Sequence, residues 1–200
     1  MQQQRTLPAR TRQRRDALLD ELVDLFLAEG FAAFGIGELA QRLSCSRSTL
    51  YLVAPSKEQV ITATVRQFFK RAAERIEERV EAAPDPADRL STYLTAVADE
   101  LAPASPQFYA DLAGFPPGAE VYRANTAQAA ARVQALVTEG VEAGTLRQVN
   151  ATFVGAAVAE VMDAIGDGRI GTATGLDDAQ AYQALVDLVA TGLRVGRPGG

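Results

Sequence analysis

A short segment near the N-terminus places one cation and several hydroxyl groups at the start of a predicted helix. Arg47, Ser48 and Thr49 follow Ser46, and Leu50 comes next. A serine side chain is a favoured acceptor for the free N–H groups that begin a helix. An arginine at such a position can form two hydrogen bonds to guanine. We therefore predict that Arg47, Ser48 and Thr49 contact bases or phosphates of DNA, the alternative being an ordinary solvated helix start.

Neighbouring elements must position this segment, because a helix of about a turn and a half is not stable alone. Ile36, Leu39 and Leu43 recur at helical spacing, and Ser44-Cys45-Ser46 then interrupts the pattern with turn-prone residues. Two short helices joined by a tight turn form a helix-turn-helix, whose second helix enters the major groove. Arg42, near the end of the first of these helices, is a further candidate for the DNA backbone, with an exposed surface position as the alternative.

Four motifs within Arg10 to Phe69 make this part of the chain resemble the TetR-type transcriptional regulators. They are Glu29-Gly30-Phe31, Glu38-Leu39-Ala40, Ser46-Arg47-Ser48-Thr49-Leu50-Tyr51 and Pro55-Ser56-Lys57-Glu58. The resemblance implies phosphate contacts from Ser46, Tyr51 and Lys57. It also implies a double-stranded DNA operator, a ligand pocket in the following helices and a homodimer whose last two helices pair with their copies.

The sequence departs from the family pattern at three places. Gly35 stands where the family usually has Ser or Thr, Ser44 where it usually has Gly, and Val53 with Ala54 where it usually has an aromatic pair. These departures bear on the affinity for an operator more than on the fold. They leave an alternative open, a small-molecule-binding helical protein with a degenerate DNA-binding end.

The charge distribution favours nucleic-acid contact at one end of the molecule. The formal net charge of the 200 residues is −5, which by itself argues against a DNA-binding protein. However, residues 1–57 contain eight Lys or Arg and six Asp or Glu, whereas residues 58–200 contain twelve and nineteen. A basic end on an acidic body suits a protein that meets phosphates with one end.

The periodicity of the whole chain predicts an all-α fold and no β-strand. We expect an N-terminal three-helix helix-turn-helix domain followed by a helical bundle of about six helices. The predicted divisions are a flexible basic tail at 1–9, the DNA-binding domain at 10–55 and a ligand-binding and dimerisation domain at 56–196. Within the bundle, Asp85 and Pro86 are predicted to begin the fifth helix, and 114–118 and 166–175 to form loops.

Two groups of side chains in the body are candidates for binding, and ordinary core packing is the alternative for both. Aromatic residues on helices four to seven are predicted to line an apolar ligand pocket: Phe68, Tyr93, Phe108, Tyr109, Phe115 and Tyr122. Small or apolar residues on the last two long helices are predicted to form the dimer interface: Gly155, Ala156, Ala159, Ala184, Leu188 and Thr191.

Enzyme and metal chemistry have little support in the composition. The chain contains no histidine and one cysteine, which excludes a histidine base and a thiolate metal cluster within one chain. We therefore expect no catalytic residues, no metal and no cofactor. The G-x-G-x-x-G match at 166–171 lacks the preceding strand of a dinucleotide site. Cys45 is interpreted as a packing residue, with redox sensing as the weaker alternative.

The combined prediction is a ligand-responsive, DNA-binding transcriptional regulator. We expect a homodimeric repressor that a small apolar or amphipathic molecule releases from a palindromic operator. No apolar run reaches the roughly 18 residues of a membrane helix, and no secretory signal is recognisable, so we expect a cytoplasmic protein without membrane contact.

Overall fold

The computed structural model describes residues 9–83, 85 and 88–195. Apart from an isolated bridge between Leu146 and Arg194, the regular structure of these residues is helical, as predicted. Their ten helices are α1 (Ala9–Glu29), α2 (Ile36–Arg42), α3 (Arg47–Leu50), α4 (Lys57–Glu81), α5 (Arg89–Leu101), α6 (Pro106–Gly114), α7 (Pro116–Glu142), α8 (Ala151–Gly166), α9 (Arg169–Thr174) and α10 (Asp178–Leu193). The predicted tail lies outside the described residues, except for Ala9, which begins α1.

The first three helices share one buried cluster with the start of α4. Leu18, Leu22 and Phe26 of α1 recur at helical spacing and pack with Leu39 of α2 and Leu50 of α3. Leu50 is fully buried, and burial of a leucine side chain stabilises by about 1.5–3 kcal/mol. Because α3 has only four residues, this packing holds it in place rather than its own backbone bonds.

A second buried cluster joins the rest of α4 to α5, α7, α8 and α10. Val137, Val158 and Leu185 are among its members. Helices α7 and α8 approach each other closely, since a Cβ atom added to Gly155 would lie 2.5 Å from the carbonyl oxygen of Ala130. Glycine permits this approach, and a larger residue there would force the two helices apart.

Two helix starts differ from the prediction. Helix α7 begins at Pro116 within the segment predicted as a loop, because proline lacks the N–H donor that a first helical turn leaves unused. Helix α5 begins at Arg89, with Asp88 rather than Asp85 at the N-cap position. Pro86, the predicted first residue of that helix, lies outside the described residues.

The predicted loop at 166–175 was also wrong, because it contains the short helix α9. Gly168 and Gly175 flank this helix with φ angles of 77° and 75°. These left-handed residues separate the six-residue helix from α8 before it and from the segment after it. The described part of the body therefore has seven helices, α4 to α10, rather than about six.

The predicted domain boundary between residues 55 and 56 lies in the turn before α4. The first buried cluster crosses it, since Phe108 and Leu112 of α6 belong to the same cluster as α1. The division of the chain into domains stays a prediction.

Candidate nucleic-acid interface and body cavity

The turn between α2 and α3 is tight and hydrogen-bonded. The backbone N–H groups of Ser44 and Cys45 donate to the carbonyl oxygens of Gln41 and Ala40 at 3.1 and 2.8 Å. Ser44 has a φ angle of 47°, in the left-handed region that costs a residue with a side chain about 1–2 kcal/mol. The serine thus occupies a conformation that the glycine usual in the family would adopt with less strain.

Helix α3 begins with a cluster of hydroxyl groups beside an exposed cation. Ser46 accepts the backbone N–H of Thr49 at 3.1 Å, and its Oγ lies 2.7 and 2.8 Å from the hydroxyl oxygens of Ser48 and Thr49. Arg47 is exposed, and its guanidinium lies 2.8 Å from where a Cβ of Gly37 would stand. Among the ion pairs of the described residues, none includes Arg47. Its guanidinium is therefore available to a partner outside the chain.

The other predicted DNA-binding residues differ in the contacts that they make within the chain. Arg42 forms an ion pair with Glu29 at the end of α1. Lys57 donates from Nζ to the carbonyl oxygen of Ala32 at 3.3 Å. Tyr51 follows α3 with 45% of its surface exposed. The seven predicted DNA-binding residues thus lie between α2 and the start of α4, six of them in α2, the turn, α3 or α4 and Tyr51 directly after α3, and their contact with DNA stays a prediction.

Cys45 has the environment of a packing residue rather than of a reactive thiol. Its side chain is half-buried and packs against the first buried cluster. Burial raises the pKa of the thiol, an effect that Arg14 opposes and Glu21 reinforces. A thiol with a raised pKa is mostly protonated at neutral pH and reacts slowly.

The body contains a cavity of about 210 Å³ among α4, α5, α7 and α8. Of the six aromatic residues predicted to line a pocket, Tyr93 and Tyr122 lie in its wall. Most of the remaining wall is apolar: Phe69, Ala72, Ala73, Ile76, Val97, Leu101, Ala129, Ala130, Val133, Val158, Ala159 and Met162.

The other four predicted pocket residues lie elsewhere. Tyr109 lines a neighbouring cavity between α6, α7 and α8. Phe68 and Phe108 are buried in the first cluster, with ring centroids 5.8 Å apart. Phe115 packs edge-on against Phe31 at 5.9 Å. These phenylalanines hold the body against the first three helices.

Polar groups in the cavity wall were missed by the sequence analysis: Glu77, Glu100, Asn125, Thr126, Gln128, Arg132 and Asp163. Arg132 donates from two nitrogens to the carboxylate of Glu77, both at 2.9 Å. The hydroxyl of Thr126 donates to Asp163 at 3.4 Å. No sequence signal marks them, because they come from four helices that meet only in the folded chain.

The two cavity tyrosines remain neutral at physiological pH. Burial raises the pKa of Tyr93 to about 12, and the charge of Glu77 acts in the same direction. Burial also raises the pKa of Tyr122, and the neighbouring carboxylate of Asp163 raises it further. Both residues can therefore offer a hydroxyl group and an uncharged aromatic face to a ligand.

A buried carboxylate joins the body to the first three helices, and sequence reasoning did not single it out. One oxygen of Asp111 in α6 accepts hydrogen bonds from the backbone N–H groups of Phe31 and Ala32, at 2.5 and 2.7 Å. The other oxygen accepts from the side chain of Gln107 at 2.6 Å. The end of α1 and the following turn are thus bound to α6.

Most of the predicted dimer residues are exposed in the protomer: Ala156, Ala184, Leu188 and Thr191. Ala159 lies in the cavity wall, and Gly155 packs inside the protomer against α7. Phe153 of α8 was not predicted, yet 70% of its surface is exposed, and Leu188 of α10 is 72% exposed. Two large apolar side chains therefore face outward on the helices predicted to pair.

Neither a membrane-spanning helix nor a metal-binding cluster occurs among the described residues. Across them, no helix has both the length and the apolarity needed to span a bilayer. The same residues hold no group of three or more acidic or cysteine side chains placed to bind a metal ion.

Comparison with known protein families gives one match in the N-terminal part. Residues 18–71 match the model of bacterial regulatory proteins, tetR family. An uncharacterized HTH-type transcriptional regulator from Mycobacterium tuberculosis is 34% identical over 86 residues, covering 43% of this chain and 43% of that relative. The chain thus aligns with less than half the length of that relative.

Solved structures match over nearly the whole chain. A transcriptional regulator from Saccharomonospora viridis, in complex with choline, has a TM-score of 0.75 at 17% identity, covering 92% of this chain and 100% of that one. A TetR family regulator from Agrobacterium tumefaciens has a TM-score of 0.69 at 19% identity, with the same coverage. At these identities the likeness shows the fold, and the predicted all-α architecture is confirmed.

Proposed function

Residues 18–71 match the tetR family of bacterial regulatory proteins, and from this premise we propose that the chain is a ligand-responsive transcriptional repressor of that family. In this proposal a cytoplasmic homodimer binds a palindromic operator, and a small apolar or amphipathic molecule releases it. The family consists of regulators rather than enzymes, in agreement with the prediction that the chain catalyses no reaction.

The observation that carries the proposal is the way α3 is presented. Leu50 anchors this four-residue helix in the first buried cluster. Arg47 and Ser48 remain exposed, and Arg47 has no ion pair within the described residues. A recognition helix needs this combination, because its base-contacting residues must be free and its position must be fixed. Tyr51 follows α3 with an exposed side chain and Lys57 begins α4, so both adjoin the recognition helix, which supports their predicted role.

Dimer formation follows from the small size of α3. One helix of four residues offers too few contacts for a specific site, so two copies must act together on half-sites about 34 Å apart. The outward-facing Phe153 and Leu188 support an interface formed by α8 and α10. Exposed apolar side chains of this size on adjacent helices are typical of a surface that is covered in the assembly.

A route for the ligand signal runs through α6. Tyr122 of the cavity wall packs against Tyr109 of α6, with ring centroids 6.4 Å apart. On the same helix, Asp111 binds the backbone at Phe31. A ligand that displaces Tyr122 would therefore shift α6 and the end of α1 together. It releases DNA only if it binds the two arrangements with different affinity.

A solved structure of similar fold also supports a small-molecule effector. The regulator from Saccharomonospora viridis was solved in complex with choline, so a protein of this fold binds a small organic molecule. This supports a ligand for the present chain without identifying it.

The test is selection of an operator from random double-stranded DNA, followed by binding measurements with two variants. We expect a palindrome with half-sites spaced by a groove turn. Arg47→Ala should weaken binding to it by about 1–3 kcal/mol, the value of one good arginine–base contact. Lys70→Ala removes an exposed cation of α4 and should leave binding nearly unchanged. Equal losses for the two variants would contradict the assignment of α3.

The departures at 35, 44, 53 and 54 favour a second candidate, a small-molecule-binding protein whose DNA-binding end has degenerated. The strained φ of Ser44 is the structural observation behind it. Recovery of no enriched DNA sequence at low salt, from a protein that binds a ligand in its body, would favour this candidate over the repressor.

A further inference from the structure

One carboxylate in the body cavity has no cationic partner. The neutral hydroxyl of Thr126 donates to Asp163 at 3.4 Å, and the hydroxyl of Tyr122 also lies beside it. Among the ion pairs of the described residues, none includes Asp163. The guanidinium of Arg169 acts on Asp163 through space but forms its ion pair with Asp167, at 2.7 Å. Asp163 therefore contributes to the wall a negative charge that no ion pair of the described residues neutralises.

The other ionisable groups of the wall compensate one another. Arg132 pairs through two nitrogens with Glu77. Glu100 is bound by Arg75, whose Nε donates to it at 2.8 Å. With these pairs neutral overall, the charge that faces the cavity is that of Asp163. A ligand that leaves the site neutral must carry one positive charge.

The rest of the cavity suits an organic cation rather than a metal ion. Its walls are mainly apolar, and the aromatic rings of Tyr93 and Tyr122 lie among them. An aromatic face attracts a cationic nitrogen, and apolar walls bury the attached hydrocarbon. The volume of about 210 Å³ lies below the range of about 300–1,000 Å³ typical of ligand pockets, so the cavity suits a ligand smaller than a typical drug.

We propose that this cavity binds a small monovalent organic cation, with its charged nitrogen against Asp163 and Tyr122 and its apolar part against α4 and α5. The inference rests on the proposed function, because it names the chemical class of the effector. An anion would be repelled by Asp163. A neutral molecule would remove water from the carboxylate without replacing its hydrogen bonds, which is unfavourable.

The test uses two molecules of nearly identical shape. Phenyltrimethylammonium and tert-butylbenzene differ in the charge of one central atom. Calorimetric titration of the full chain should show the cation binding at least about tenfold more tightly, as one desolvated cation–carboxylate and cation–π site provides. Equal affinity for the two probes, or no binding of the cation at millimolar concentration, would overturn the inference.

Two variants assign the preference to Asp163. Asp163→Asn keeps the shape and removes the charge, so it should abolish the preference by weakening binding of the cation, while tert-butylbenzene binds at least as tightly as before because no carboxylate loses its water. Glu160→Gln removes an exposed charge from the same helix and should change neither affinity. A preference that survives Asp163→Asn would overturn the assignment. If that variant does not fold, the unaltered chain is titrated with the anion benzenesulfonate instead. Binding of this anion as tight as that of the cation would contradict a negatively charged cavity wall.

Failure of this inference can be told apart from failure of the proposed function. Operator selection uses the protein without any ligand. A chain that enriches a palindrome but shows no preference for the cation remains a regulator with a different effector. A chain that prefers the cation but enriches no DNA sequence retains the cation site and loses the repressor function.

Discussion

Asp111 of α6 binds the backbone of Phe31 just beyond the end of α1, with its carboxylate oxygen 2.5 Å from the amide nitrogen. The same oxygen accepts the N–H of Ala32, and the aspartate is only 8% exposed. Buried from water, this carboxylate depends on its donors for stability. The DNA-binding helices and the body are consequently connected through a polar contact that cannot be lost without a large energetic penalty.

Replacement of Asp111 by asparagine tests this connection. Asp111→Asn keeps the volume but removes the charge, so the backbone hydrogen bonds of Phe31 and Ala32 weaken. We expect the free energy of unfolding to fall by about 1–3 kcal/mol, measured by urea denaturation. Asp99→Asn, which removes one exposed partner of Arg79, should change it by less than about 1 kcal/mol. Equal effects of the two variants would contradict a structural role for Asp111.

Replacement of Ser44 by glycine should stabilise the chain. The φ angle of 47° strains serine but not glycine, so Ser44→Gly should raise the free energy of unfolding by up to about 1 kcal/mol. The matched variant Ser48→Gly changes a residue with helical backbone in α3 and should lower it by about 0.5–1 kcal/mol. Destabilisation by Ser44→Gly in urea unfolding would show that the turn does not have this conformation.

The buried tyrosines predict a loss of stability at high pH. Burial raises the pKa of Tyr93 and of Tyr109 from 10.0 to about 12, so the folded state keeps protons that the unfolded state releases. This contribution is fully present below pH 10 and is lost as the pH rises toward 12. Chemical denaturation between pH 10 and 12 should show that the free energy of unfolding decreases. In Tyr93→Phe this pH-dependent decrease should be smaller by about 2–3 kcal/mol, because the variant has no hydroxyl to ionise at that position. A slope unaffected by Tyr93→Phe would argue against a buried hydroxyl.

A charge on α10 should separate the proposed dimer. Leu188→Glu places a carboxylate at a side chain that is 72% exposed in the protomer. A two-fold interface contains the change twice, so association should weaken by about 3–6 kcal/mol, or at least a hundredfold. Sedimentation equilibrium measures this directly. Leu52→Glu, on the DNA-binding end, should leave the oligomeric state unchanged, and a dimer that tolerates Leu188→Glu must use another surface.

The helix-turn-helix was predictable because its signals are local. Ile36, Leu39 and Leu43 recur at helical spacing, and Ser46 marks the start of α3 by capping it. The conformation of Ser44 was not predictable from its residue type, since a left-handed φ is uncommon outside glycine. Similarly, prolines at 116 and 117 were interpreted as a loop, although they begin α7.

The body was less predictable because its site is assembled from residues far apart in the sequence. Asp111 and Phe31 are 80 residues apart, and nothing near either one indicates the other. Aromatic residue type alone did not separate Tyr93 and Tyr122, which line the cavity, from Phe68 and Phe108, which pack in the core. Asp163 resembled an ordinary acidic position on a helix until folding placed it beside Tyr122.

In the proposed complex, two copies of α3, held at a fixed separation, bind successive major grooves. A change in the spacing of the selected operator tests this arrangement. Insertion of about five base pairs between the half-sites, close to half of a helical turn, moves one half-site to the opposite side of the duplex. We predict that specific binding in a mobility-shift assay falls to the level of unrelated DNA. Undiminished affinity for the lengthened operator would contradict it.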